Sequence, residues 1–108
     1  MTELYTSEEI QSFVQNIPTS VIFYHAPWLV KSDECLTIFN TSLEDSGNKE
    51  IKVGYLYFNR TSMTVNKIAI LNSRNSYDFP LVEFYIDGIK SCEYTDPDYD
   101  TLLSKFTV

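Results

Sequence analysis

The chain has 108 residues, with 8 Lys and Arg against 15 Asp and Glu, for a formal net charge of -7. This length suits one domain spanning residues 1–108 that buries a core without metal or disulfide staples, and a 15% aromatic share with few glycines and prolines excludes a low-complexity chain. The acidic balance argues against nucleic acid and anionic membrane surfaces as partners, since both call for a basic face.

Met1-Thr2-Glu3-Leu4 offers no basic stretch followed by an apolar segment, so no secretory leader is expected, and no run is apolar enough to span a bilayer. The expected compartment is the cytoplasm. There Cys35 and Cys92, far apart in sequence, read as buried thiols rather than a disulfide. The glycosylation patterns Asn40-Thr41-Ser42 and Asn59-Arg60-Thr61 are then idle.

Glu3-Leu4-Tyr5 reads as a short edge strand. Thr6-Ser7-Glu8-Glu9 follows as a capping box, opening a helix with Ile10, Phe13, Val14 and Ile17 on one face and a stop before Pro18. Ser20 to Tyr24 is a continuous apolar run of strand-forming residues, the mark of a central strand covered on both sides. It leads through His25-Ala26-Pro27-Trp28 to a second helix, whose start is expected at Ser32 with Asp33 and Glu34 at the positive end of the dipole. Cys35, Leu36, Ile38, Phe39 and Leu43 form its buried stripe, and Ser46-Gly47-Asn48 stops it.

Ile51 to Phe58 is a second apolar strand, placed by a right-handed crossover parallel to the first. A third helix is predicted over 62–71, then a polar loop over 72–76. Pro80 opens a further strand, because proline lacks an N–H and belongs at a strand's mouth. The Phe79–Pro80 bond is a candidate for the cis form. Asp87-Gly88 is the dipeptide favoured in two-residue hairpin turns, with Ile89 to Tyr94 as the return strand. Thr95-Asp96-Pro97-Asp98 starts a last helix, with Leu102, Leu103 and Phe106 buried. The class is α/β: a central mixed sheet with helices on both faces.

Phe23-Tyr24-His25-Ala26-Pro27-Trp28 and the stretch from Phe79-Pro80 to Asp87-Gly88 resemble the thioredoxin family over nearly the whole chain. Members of that family carry an aromatic-x-Ala-x-Trp segment feeding an active-site turn, and a cis-proline followed eight residues later by a hairpin glycine. The resemblance implies a thioredoxin-like fold and, in ordinary members, disulfide exchange by a Cys-x-x-Cys directly after the Trp. Here those positions hold Leu29-Val30-Lys31-Ser32. Leu29 cannot attack a disulfide, and the Ser32 hydroxyl is too weak a nucleophile to resolve one.

The family's buried aspartate aligns with Phe23 and the lysine near it with Tyr55. A buried carboxylate is costly once no thiol needs it, and an aromatic fills the space at lower cost. The kinking proline of the second helix aligns with Thr37, and the segment between Asn59 and Pro80 is longer than usual for the family.

Other chemistries find little support. Two cysteines and one histidine at these spacings make no zinc pattern, and the acids from Glu93 to Asp100 lack the spacing of a calcium loop. No glycine-rich phosphate loop is present, and His25 has no evident nucleophile to serve. No cofactor or metal is implied. The expected function is a redox-inactive thioredoxin-like protein, more a binding module or subunit of a larger assembly than an enzyme. It would hold a protein partner or extended peptide against Trp28, Leu29, Phe79 and Pro80. The alternative is a single-thiol or glutathione-dependent oxidoreductase using Cys35.

Overall fold

The computed structural model describes residues 1–58, 70 and 79–107. The predicted helix over 62–71, the loop over 72–76 and the lengthened segment before Pro80 lie outside these residues, except that Ile70 is buried in the core. The described elements are β1 (Thr2–Glu3), α1 (Ser7–Gln15), β2 (Thr19–His25), α2 (Val30–Ser46), β3 (Lys52–Tyr57), β4 (Leu81–Ile86), β5 (Ile89–Thr95) and α3 (Tyr99–Phe106).

The strands form one sheet in the order β1-β3-β2-β4-β5. β1, β3 and β2 run parallel, while β4 is antiparallel to both β2 and β5. β2 is central, and from Ser20 to His25 every residue is buried, as its unbroken apolar run requires. Asp87 and Gly88 both have positive φ, 51° and 83°, the conformation of a hairpin turn whose twist matches its strands. Cys92 pairs with Phe84 and Lys90 with Tyr85, so Ser91 is an extra residue and β5 is bulged there.

Two cores flank the sheet. Residues of even number in β2 and β3 face α1, where Ile22, Tyr24, Leu56 and Phe58 pack with Leu4 and Val14. Odd-numbered residues of β2 face α2 and α3, joining Val21 and Phe23 to Cys35, Phe39, Leu102 and Phe106. The register pairs Phe23 with Tyr55, and their rings stack at 6.3 Å. An aromatic pair thus fills the place for which the family resemblance implies an acid and a base.

The ends of several elements differ from the sequence expectation. β1 starts one residue earlier and ends two earlier, with Leu4 N–H still bonded to Tyr55 O at 2.8 Å. Thr6 caps α1 by accepting from Glu9 N–H, while Glu9 meets the Thr6 hydroxyl rather than its backbone.

α2 begins at Val30 instead of Ser32, because Leu29 takes the extended N-cap conformation and Ser32 turns its hydroxyl inward. It then runs unbroken past Thr37 to Gly47, whose φ of 69° closes it in the left-handed region. α3 begins after Asp98, which accepts from Thr101 N–H at 2.8 Å, so Pro97 precedes the cap rather than sitting in the first turn.

Candidate functional site

The segment between β2 and α2 is a tight, internally bonded turn. Leu29 N–H reaches Ala26 O at 3.0 Å, and Ser32 N–H reaches Leu29 O at 3.0 Å. The Ser32 hydroxyl, fully buried, accepts from Ala26 N–H at 3.2 Å and ties the two ends of the turn together. Serine at this position therefore does a backbone's work, satisfying an amide that would otherwise be left without a partner.

Trp28, Leu29, Phe79 and Pro80 are brought together, although the apolar surface they make is smaller than the sequence suggested. The Phe79–Pro80 bond is cis, and Asp96 N–H binds Pro80 O at 2.8 Å. Phe79 is only 9% exposed, with its ring against Phe58 at 5.3 Å and edge-on to Trp28 at 6.4 Å. Pro80 is buried as well. Trp28 and Leu29 are half-buried over the same core and supply the accessible part of the face. Phe79 is thus a floor residue, held down by Phe58.

Cys35 lies in the other core, 1% exposed, its Sγ 3.8 Å from Pro97 O. Burial, with the Asp96 charge second, pushes its thiol from 9.0 up to about 12. A thiol so placed stays protonated and out of reach, the opposite of what nucleophilic attack requires. Cys92 is half-buried in β5, and both cysteines are free.

One group of residues was missed in the sequence. His25, 4% exposed at the end of β2, places Nε2 2.7 Å from Asp33 Oδ1 and Nδ1 2.5 Å from the Tyr55 hydroxyl. The tyrosine is pushed from 10.0 up to about 12, first by burial and then by Tyr57, Glu3 and Asp33, so its hydroxyl keeps its proton. Both imidazole nitrogens are occupied, which leaves none to serve a substrate as a base. The available signal was positional: Tyr55 is two residues from Tyr57 on one face of β3, and Asp33 lies one turn into the helix that follows His25.

No family model matches the chain, and no curated protein matches it. Solved structures do. The chain is similar to Trxlp from Edwardsiella tarda EIB202, with a TM-score of 0.77 at 11% identity, covering 100% of each chain. It is similar to the thioredoxin of Malassezia sympodialis, with a TM-score of 0.75 at 13% identity, covering 97% of this chain and 88% of that one. Mitochondrial thioredoxin 3 of Saccharomyces cerevisiae matches with a TM-score of 0.72 at 13% identity, covering 97% and 91%. The fold is thioredoxin-like.

Proposed function

We propose that this chain is a thioredoxin-like protein without disulfide exchange, acting as a protein-binding module or a subunit of a larger assembly. The observation that carries this reading is the turn before α2. It is a tight turn beside a cis-proline, and it holds Leu29 and a buried, hydrogen-bonded Ser32 where exchange would need thiols. The partner is an extended segment of protein lying across Trp28 and Leu29. Because Asp96 already occupies the Pro80 carbonyl, backbone pairing with that segment falls to Phe79. Two free cysteines suit a reducing cytoplasm.

Two measurements test the reading. The purified protein should not accelerate reduction of insulin by dithiothreitol; a catalytic rate that vanishes in Cys35→Ser overturns the redox-inactive part. Trp28→Ala and Leu29→Asp should abolish co-purification of partners from native extract while leaving the far-ultraviolet circular dichroism unchanged. Phe79→Asp does not belong in that set, because it places a charge in the core and reports on folding.

A further inference from the structure

His25 and Asp33 flank the turn, one residue outside the pair, Ala26 and Ser32, that the serine hydroxyl ties. The turn is therefore closed by two successive rungs, 26 to 32 through a hydroxyl and 25 to 33 through an imidazole. The inner rung is fixed by backbone geometry. The outer one depends on which imidazole nitrogen carries the proton, and the groups around it decide that. A carboxylate can only accept, so Nε2 of the neutral ring must hold the hydrogen facing Asp33. Nδ1 is then a bare acceptor, and the Tyr55 hydroxyl donates to it. The backbone of His25 is anchored independently, its carbonyl accepting from Phe58 N–H at 2.9 Å. The ring is thus held by β3 on one side and holds α2 on the other.

We propose that Tyr55, His25 and Asp33 form a clasp that sets the position of the turn presenting Trp28 and Leu29, with His25 locked as the Nε2–H tautomer. All three are positioning residues. The inference deepens the binding reading given above, because the clasp fixes the shape of the face a partner would meet. It accounts for polar side chains in the largely apolar wall between α2 and β3. Asp33 directs the proton and restrains the first turn of a helix whose N-cap residue, Leu29, offers no side-chain cap, His25 transmits the contact, and Tyr55 holds the ring from β3 by donating to Nδ1.

The chain holds one histidine and one tryptophan, so each reports on this site without ambiguity. Nitrogen-15 NMR of the wild-type imidazole, under alkaline conditions where the ring is neutral, should show a protonated Nε2 and an unprotonated Nδ1. Acrylamide quenching of Trp28 should rise about twofold or more in Asp33→Ala and in Tyr55→Phe, since a site that loses its supporting contacts loosens. It should stay at the wild-type value in Glu34→Ala, which removes a neighbouring exposed carboxylate. Asp33→Asn, whose amide oxygen still accepts from Nε2–H, should restore wild-type quenching.

Asp33→Ala, which removes the acceptor facing Nε2, should also admit the Nδ1–H tautomer. A protonated Nδ1 in the wild type overturns the proposal, as does wild-type quenching in a folded Tyr55→Phe together with a folded Asp33→Ala. If Asp33→Ala fails to fold, the wild-type tautomer and the quenching in Tyr55→Phe decide the matter alone. These readouts need no partner. A clasp with the expected signatures and no recoverable partner counts against the binding reading only.

Discussion

Ser20 and Ser32 are both fully buried, yet they stand in opposite circumstances. Ser32 satisfies Ala26 N–H, whereas Ser20 Oγ has no hydrogen-bond partner among the described residues. The same substitution should therefore act with opposite sign. Ser32→Ala orphans an amide and should cost about 1–2 kcal/mol, while Ser20→Ala removes a desolvated hydroxyl and should be neutral or stabilising by up to about 1 kcal/mol. Urea unfolding of the two variants measures this, and equal losses would contradict it.

Cys35 gives a second residue-level expectation. Its thiol is raised from 9.0 to about 12 on folding, so the unfolded chain ionises first as pH climbs. The stability of this site is full below pH 9.0 and is lost as pH rises toward about 12. Tyr55, raised from 10.0 to about 12, acts in the same direction at slightly higher pH. The urea midpoint should fall along this alkaline limb, and Cys35→Ala should flatten its lower part.

At the level of elements, β3 packs so closely on Leu4 and α1 at Gly54 that no side chain fits there. A Cβ built on Gly54 would lie 2.7 Å from Leu4 Cδ1 and 3.1 Å from Phe13 Cε2. Gly54→Ala should destabilise by about 1–3 kcal/mol through overpacking. Adding Leu4→Ala should cost less than the sum of the two single changes, because the smaller side chain frees the space.

Elements whose signals are local were legible in the sequence: Thr6 capping α1, Asp87-Gly88 turning the hairpin, the apolar runs of β2 and β3. Boundaries set by distant contacts were not. Ser32 looks like a cap until its hydroxyl is seen reaching back six residues, and Pro97 looks like a helix start until Asp98 takes the cap. His25 looked idle because its partner Tyr55 lies thirty residues on, and only the parallel register brings the two together.

For the molecule as a whole, the absence of thiols at the turn could be read from Leu29 and Ser32 alone, and the aromatic and proline anchors carried the fold. The burial of Phe79 could not be read this way, since the side of the backbone on which its ring lies is decided by Phe58 across the sheet. Because both cysteines are free, the whole fold should be indifferent to reductant: thermal unfolding with and without dithiothreitol should coincide. A shift between the two curves would reveal a disulfide that the structure does not contain.

The bulge at Ser91 has a consequence for how this protein meets other chains. It bends the outer rail of the sheet and turns Lys90 onto the face of Glu83, with Nζ 3.5 Å from Glu83 Oε2 and 3.3 Å from Glu93 Oε2. A foreign strand seeking a ladder there finds a kinked, charged kerb, and on the opposite flank β1 offers a two-residue stub. With both flanks unwelcoming, lateral stacking into fibres is discouraged.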